Sequence, residues 1–365
     1  MGSLKQAIIY DIQYVFVAVI LVLLYILLDK RYTKKIRIID WVAVVILVFL
    51  SGMRYNVGSD FQEYYMRYQH YTTFWDSISG RLVNEKVFYY LCHLFSKISK
   101  SEYGIFWMCA LIMYPALVFV ARKITGRPSR VVGCFVFLEF YAMSNNILRQ
   151  FIAIELIMFG YIALKYKKRV LAVMLFALSF GFHLTAVIGV ALIFMSKFIE
   201  PTVRNIGRSI GIGVIAVFLW RPFMKLLSNI PVIGHYAHYM NQQGEPVIRY
   251  GMIGYILFYA FLAYKLIALS NKITIRTKIY YDVISFIILS LPFFCIATQV
   301  SYFHRISVYL YSFSIFAVPD LYSVNYGSTL KNKRVRINTS AMLVCWLLYS
   351  NIVSLDNTFW TYILR

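Results

Sequence analysis

Three arginines and one histidine lie at the ends of apolar segments, where a single charge is costly. Arg149 occurs in NNILRQFIAIEL, His183 in LSFGFHLTAVIG and Arg305 in TQVSYFHRISVYL, each at the turn between two apolar runs. Arg54 follows another apolar run in SGMRYNVGSDF, shortly before Asp60. An arginine within the hydrocarbon of a membrane costs about 2.5–3.5 kcal/mol on insertion scales, and intramembrane charges are often functional.

Several guanidinium groups at one depth are suited to bind a phosphate or a diphosphate. They bind phosphate oxygens bidentately and stay charged at any relevant pH, and preorganised positive charge stabilises a departing diphosphate. In a sugar transfer the acceptor hydroxyl also needs a base, for which Asp60 and His183 are the candidates. The alternatives are a structural role for Asp60 and arginines that only reach the outer headgroups.

Apolar helices must position these residues, because 61% of the 365 residues are hydrophobic and only 14% are charged. This composition predicts an all-α polytopic integral membrane protein with a single transmembrane domain over residues 1–365. About twelve transmembrane helices are expected. The predicted spans are 8–28, 38–53, 103–121, 131–147, 148–164, 170–182, 184–199, 207–222, 251–269, 279–298, 306–323 and 337–354.

Short basic loops between these spans predict the orientation of the chain. With the N-terminus outside, most of the 37 Lys and Arg residues fall in inner loops, as the positive-inside rule requires. The net charge of +22 then faces an anionic leaflet, and nucleic acid is not expected as a partner. Two long loops, 54–102 and 222–250, lie outside in this topology.

The first outer loop carries apolar residues at helical spacing, which predicts an amphipathic outer-face helical region. Its two stripes are Phe61, Tyr64, Tyr68, Tyr71, Trp75 and Ile78, then Val87, Leu91, Leu94 and Ile98. Such helices either lie along the outer membrane surface or pack as ordinary loop helices.

Sequence motifs give no indication of a metal or a cofactor. The five cysteines are scattered singly, and the chain has no DxD, P-loop, HExxH or GxSxG motif. His235 and His238 could share a helical face, but a third ligand is missing. Glu139 and Glu155 fall within predicted spans, where they either form an ion pathway or hydrogen-bond inside the bundle.

The succession of these motifs resembles the EpsG family of Wzy-like exopolysaccharide and O-antigen polymerases. GMRYNVGSDFQEYY is similar to the family's Arg-Tyr-x-x-Gly-Thr/Ser-Asp-x-x-x-Tyr signature, LRQFIAIELI to its Leu-Arg-Gln-x-x-Ala motif and FHLTAVI to its Phe-His-x-x-Ala pattern. Asn84-Glu85 and HRISVYLY resemble two further segments. The resemblance extends over about residues 40–310, with Ser59 where the family often has Thr.

The resemblance implies a glycosyltransferase of the bacterial plasma (inner) membrane that joins oligosaccharide repeat units carried on undecaprenyl diphosphate. The reaction would occur on the outer face without metal or nucleotide, because the glycosyl–diphosphate bond supplies the energy. The implied residues are catalytic Arg149, His183 and Asp60, and substrate-binding Arg54, Tyr55, Tyr64, Glu85 and Arg305.

The implied partners are a lipid-linked donor and acceptor and the bilayer, with a chain-length regulator and a flippase as candidate proteins. An O-antigen ligase-like glycan transferase would use the same chemistry on a different acceptor. A flippase or transporter of the lipid-linked unit would need charges along a crossing route instead of at one face. A membrane O-acyltransferase is supported only by His183.

Overall fold

The computed structural model describes residues 2–58, 60–68, 85–227, 249–274, 276–300 and 302–363. About 80% of the chain is helical, and the described residues contain no β-strand. The prediction of an all-α fold is therefore confirmed.

The α-helices of the described residues are numbered here in chain order. They are α1 Gly2–Leu28, α2 Ile38–Gly52, α3 Phe61–Arg67, α4 Lys86–Ser96, α5 Gly104–Thr125, α6 Pro128–Phe137, α7 Phe140–Asn146, α8 Leu148–Lys165, α9 Arg169–Phe182, α10 Ala186–Met195, α11 Val203–Leu227, α12 Gly251–Leu269, α13 Tyr280–Ala297, α14 Tyr302–Tyr311, α15 Ser314–Ala317 and α16 Thr329–Ile363. Short 3₁₀ helices occupy Ser196–Phe198, Ser270–Lys272 and Val318–Ser323.

Within the described ranges, four helical segments are long and apolar enough to cross a membrane. These segments are Gly104–Thr125, Val203–Trp220, Gly251–Lys272 and Tyr280–Ala297. Shorter apolar helices lie at Val15–Leu28, Ile38–Gly52, Pro128–Phe137, Arg169–Phe182 and Ala186–Phe198. Membrane-crossing helices are thus present, whereas the predicted count of twelve is not confirmed.

Large apolar side chains on the helix surfaces support a lipid environment. Val170 and Val173 on α9 are 76% and 66% exposed, and Phe218 on α11 is 77% exposed. Soluble monomers rarely expose contiguous apolar faces of this kind to water. Contact with acyl chains explains why these helices leave their apolar side unburied.

The chain divides into two compact units. One comprises Met1–Val190, Thr274–Lys278 and Ile315–Arg365, and the other comprises Ala191–Ile273 and Ile279–Ser314. The prediction of a single transmembrane domain over the whole chain stays a prediction.

Helix α5 forms much of the core of the first unit, and α2 packs closely along it. A Cβ on Gly52 would lie 2.4 Å from the Trp107 ring, so only glycine permits this approach at the end of α2. The hydroxyl groups of Ser51 and Tyr114 are hydrogen-bonded at 2.7 Å across the same interface.

The other end of α5 is fixed by a buried ionic network. The Arg122 guanidinium donates two hydrogen bonds to Asp40, at 2.9 and 2.5 Å, and one to Asp29 at 2.8 Å. All three side chains are fully buried, and Tyr25 donates to Asp40 at 2.7 Å. This network ties α1, α2 and α5 together, and removing one of its partners would leave a buried charge uncompensated.

Two predicted spans are wrong as continuous helices. The predicted span 131–147 is divided at Glu139, whose φ of 68° lies in the left-handed region and separates α6 from α7. The predicted span 306–323 is likewise divided into α14, α15 and a 3₁₀ helix. Uninterrupted hydrophobicity does not reveal such breaks, because a buried turn is as apolar as a helix.

The first predicted stripe of the outer loop is buried as far as the structure describes it. Phe61, Tyr64 and Tyr68 are at most 7% exposed, and the Phe61 ring stacks on Phe106 of α5 at 4.7 Å. Helix α3 therefore packs against α5. The remaining stripe positions at 71, 75 and 78 lie outside the described residues.

The second stripe is half-buried at Val87 and Leu91 and exposed at its end. Helix α4 buries Phe88, Tyr89 and Cys92, whereas Leu94 is 38% exposed and Ile98, two residues beyond the end of the helix, is 81% exposed. The exposed apolar side suits an interface with lipid headgroups.

Candidate active site

Glu85, the residue immediately before α4, is the centre of a charged cluster. Its Oε2 accepts a short hydrogen bond from Arg149 Nη1, and its Oε1 lies 2.5 Å from Nδ1 of His183. The backbone N–H of Leu184 also donates to this carboxylate. Three segments far apart in sequence therefore meet at one carboxylate.

Local sequence explains how these side chains are brought together. Arg149 lies in the first turn of α8, and His183 directly follows the last residue of α9. A Cβ on Gly181 would lie 2.3 Å from Val87 Cγ2, so the glycine lets α4 approach the end of α9. This close approach places Glu85 within hydrogen-bond distance of His183.

Aromatic side chains surround the Arg149 guanidinium. Arg149 Nη1 donates to the Tyr89 hydroxyl at 2.7 Å, and the guanidinium is also hydrogen-bonded to Tyr64. Its central carbon lies 5.8 Å from the Tyr64 ring centroid and 5.7 Å from that of Phe88. Arg149 is therefore held in one orientation by a carboxylate and two phenols.

The charged cluster is partly accessible to solvent. The side chains of Arg149, Glu85 and His183 are 20%, 10% and 24% exposed. A substrate group can therefore reach the arginine and the imidazole, while the carboxylate between them is largely covered.

The ionisation of Glu85 decides the tautomer of His183. Burial alone would raise the pKa of Glu85, but the hydrogen bond from His183 and the positive charge of Arg149 outweigh it, so the pKa lies below its ordinary value. An ionised carboxylate only accepts hydrogen bonds, so His183 Nδ1 must carry a proton. In the neutral imidazole Nε2 then keeps its lone pair and can accept a proton.

Arg54 is buried between the end of α2 and the turn that contains Asn145. Its Nη1 donates to the Ser51 carbonyl at 2.8 Å and to Asn145 Oδ1 at 3.1 Å, and its guanidinium covers the Phe106 ring at 4.2 Å. The residue is 1% exposed, and its Nε and Nη2 atoms have no hydrogen-bond partner in the described part of the chain. A buried cation of this kind adds positive charge to its surroundings, but its side chain is not exposed to solvent.

The loop before α3 is fixed to the turn before α8. Asn56 and Gly58 have φ angles of 52° and 90°, and a Cβ on Gly58 would lie 3.3 Å from the Asn145–Asn146 backbone. The backbone N–H of Asp60 donates to Asn146 Oδ1 at 3.0 Å. The Arg-Tyr-x-x-Gly-x-Asp segment is therefore attached to the turn that carries Arg149.

The structure brings most of the sequence-predicted site residues into one unit. Tyr64 interacts electrostatically with both Asp60 and Arg149, while Tyr55 is 55% exposed on the same loop. Arg305 belongs to the second compact unit, where its guanidinium lies 6.0 Å from the Tyr302 ring. Its convergence with the other arginines stays a prediction.

Sequence reasoning missed three residues of this site. Tyr89 lies one helical turn after Glu85, so the i, i+4 spacing could have placed it on the same face. Asn145 and Asn146 form a polar pair between two apolar runs, which is the signal that could have identified them as a buried turn.

The structure bears on two further sequence hypotheses, a metal site and a role for Glu155. Among the described residues no three His, Cys, Asp or Glu side chains are arranged to hold a metal ion, and His235 and His238 lie outside the described residues. Glu155 is buried in α8, and its Oε1 has no hydrogen-bond partner within the described ranges.

Comparison with known proteins supports the same conclusion as the motifs. The model of the EpsG family matches residues 37–364, nearly the whole chain, which confirms the resemblance. No curated protein and no solved structure matches the chain. This protein therefore belongs to the EpsG family, as a membrane protein of the polysaccharide-polymerase type.

Proposed function

We propose that this protein is a glycosyltransferase that polymerises oligosaccharide repeat units carried on undecaprenyl diphosphate. The proposed location is the outer face of the bacterial plasma membrane, in a bundle of about twelve spans. One observation carries the proposal: Glu85 binds the imidazole of His183 and the guanidinium of Arg149 at the same time. A base for a hydroxyl and a cation for a phosphate thus lie on two sides of one carboxylate.

His183 acts on the acceptor sugar in this proposal. Its Nε2 removes the proton of the acceptor hydroxyl while the oxygen attacks the anomeric carbon of the donor. Glu85 accepts the Nδ1–H hydrogen bond, so it keeps the reactive tautomer and stabilises the imidazolium that forms. The imidazolium then releases its proton to solvent, which restores the base.

Arg149 acts on the donor. The bond between the anomeric carbon and the diphosphate oxygen breaks, and its electron pair leaves with the lipid-linked diphosphate. A guanidinium preorganised by Glu85, Tyr64 and Tyr89 stabilises the charge that develops on that oxygen. The buried charge of Arg54 supports this role from beneath the loop, because no carboxylate in the described structure hydrogen-bonds to it.

The remaining sequence-predicted residues are assigned to substrate binding. Tyr55 is exposed and can stack on a sugar ring, and Asp60 can accept a hydrogen bond from a sugar hydroxyl near Tyr64. Arg305 is proposed as a further diphosphate contact. The Glu85–His183 pair makes His183 the preferred base, and Asp60 is the second candidate for that role.

The product distinguishes polymerisation from the related ligase reaction. Both reactions break the same glycosyl–diphosphate bond, so the geometry of Arg149 and His183 supports both. A polymerase produces a ladder of repeat units, whereas a ligase transfers one preformed glycan to a different lipid or protein.

The proposal can be tested with purified protein in lipid nanodiscs and a lipid-diphosphate-linked repeat unit. Wild type should form a ladder without added nucleotide, while His183→Gln and Arg149→Gln should leave single repeats. His93→Gln is the matched control, because His93 lies on α4 outside the proposed machinery. A normal ladder from His183→Gln would disprove the proposed base.

A further inference from the structure

A polar pocket lies at the opposite end of α5 from the Glu85 cluster. The cavity has a volume of about 530 Å³, which is within the range of small-molecule sites. Helix α5 has 22 residues and therefore spans about 33 Å. Its first turns contact α3, and its last residue, Thr125, lines the pocket. The pocket is thus far from the proposed chemistry, although both belong to the first compact unit.

Three arginines line this pocket from two helices and a loop. Arg127 precedes α6, Arg130 lies in its first turn and Arg336 lies in α16. Burial lowers the pKa of Arg130, and the positive charges of Arg127 and Arg336 lower it further. Arg127 and Arg336 therefore both lie close enough to Arg130 to repel its guanidinium, and an anion among the three would relieve this repulsion.

The lining contains one carboxylate, Asp320, to oppose these three charges. Asp320 accepts hydrogen bonds from the backbone N–H of Thr277 at 2.8 Å and from its hydroxyl at 3.3 Å. It also interacts electrostatically with Arg276, which does not line the cavity, and with Arg130, which does. The carboxylate is thus already engaged, and the pocket keeps an excess of positive charge.

The walls of the pocket are fixed by hydrogen bonds. The Tyr322 hydroxyl is bonded to Ser340 at 2.9 Å, and the Arg130 guanidinium lies 5.4 Å from the Tyr322 ring centroid. The Thr274 hydroxyl donates to the Ser323 carbonyl at 2.7 Å. Asn332 accepts the backbone N–H of Tyr326 at 2.8 Å, one turn before Arg336. The arginines therefore project from a constrained frame.

We infer that this pocket binds a phosphate-bearing anion with at least two negative charges. Guanidinium groups recognise phosphate oxygens bidentately, and a basic pocket between helices can take the headgroup of an anionic lipid. A soluble phosphorylated compound has the same chemistry. The inference is independent of the proposed polymerase reaction, because it uses none of the residues of the Glu85 cluster.

The test uses full-length protein in nanodiscs and the double variant Arg127→Gln/Arg336→Gln. Neither side chain makes a hydrogen bond or ion pair in the described part of the chain, and both repel Arg130, so the variant should unfold no lower than its parent chain. Arg334→Gln is the matched control, since Arg334 is exposed on α16 and does not line the pocket. All variants are made in the Arg149→Gln background, so that diphosphate bound at the Glu85 cluster does not contribute.

Two probes distinguish the source of the phosphate. Inorganic pyrophosphate is titrated in phosphatidylcholine nanodiscs, and retained cardiolipin is measured by native mass spectrometry after detergent extraction. At least one probe should bind and should lose roughly tenfold in affinity in the double variant, while Arg334→Gln changes little. Cardiolipin retention would identify a headgroup site, and pyrophosphate binding would identify a soluble ligand. Binding of neither probe, or equal binding by the double variant, would overturn the inference.

Discussion

Replacing Glu85 by Gln removes a charge while keeping the size of the side chain. The carboxylate accepts hydrogen bonds from Arg149, His183 and the Leu184 backbone. A glutamine presents one carbonyl oxygen and one NH₂ group. Either Arg149 or His183 must then face the NH₂ group. If it faces Arg149, two hydrogen-bond donors oppose each other. If it faces His183, the imidazole must accept at Nδ1, which favours the tautomer with its proton on Nε2.

The size of the effect follows from the hydrogen bonds that are lost. A hydrogen bond to a charged group contributes about 1.5–3 kcal/mol, which corresponds to a factor of roughly 10 to 200 in rate. Loss of a correctly protonated base costs roughly 10²- to 10⁴-fold. We therefore expect kcat of Glu85→Gln to fall about 100-fold or more, because both effects act at the same step.

Ladder formation by the purified variant measures this effect directly. The initial rate is determined at saturating lipid-linked donor, and KM is determined separately. Glu63→Gln serves as the matched control, because Glu63 is an exposed acid on the neighbouring helix α3. A kcat for Glu85→Gln within about threefold of wild type would refute the positioning role of this carboxylate.

Three further predictions concern stability and geometry. Arg122→Gln should lower the free energy of unfolding by about 3–5 kcal/mol, because buried Asp40 loses its guanidinium partner and buried Asp29 retains one ion pair, to Arg37; a denaturant titration with an unchanged midpoint would contradict this. Gly181→Ala should lower the rate roughly 10- to 100-fold by displacing α4, and Val87→Ala in the same chain should restore part of it; a wild-type rate for Gly181→Ala would exclude the close approach as a requirement. The pKa of Glu85 in the folded protein is lowered, so the stabilisation that its charge provides is complete above the ordinary pKa of 4.5 and is lost as pH falls through the folded pKa. The difference in melting temperature between wild type and Glu85→Gln should therefore close in acid and not in base.

The sequence was sufficient to identify the chemistry-bearing residues of the outer cluster. Arg149 and His183 were recognisable because a charge between two apolar runs is costly and needs a reason. Their common partner could not be deduced, since Glu85 is 64 residues from Arg149 and 98 from His183. The close approach at Gly181 lets α4 reach the end of α9, and the sequence does not reveal that contact.

Backbone breaks and buried ion pairs were the features that sequence reasoning could not provide. Glu139 was expected inside a continuous span, but its left-handed conformation turns the chain so that α7 carries Asn145 to Arg54. Nothing in the sequence pairs Arg122 with Asp29 and Asp40, yet it lies fully buried between them. Hydrophobic periodicity reports which residues avoid water, and it does not report which charges find each other inside the bundle.

The most direct test of the proposed function is the reaction of purified wild-type protein with a single lipid-diphosphate-linked repeat unit. The nanodisc mixture contains no nucleotide sugar, and products are separated by length after release from the lipid. We expect a ladder of repeat units, with undecaprenyl diphosphate released once for each bond formed. A lipid-linked unit that remains a single repeat, or that is only redistributed across a bilayer, would contradict the assignment as a polymerase.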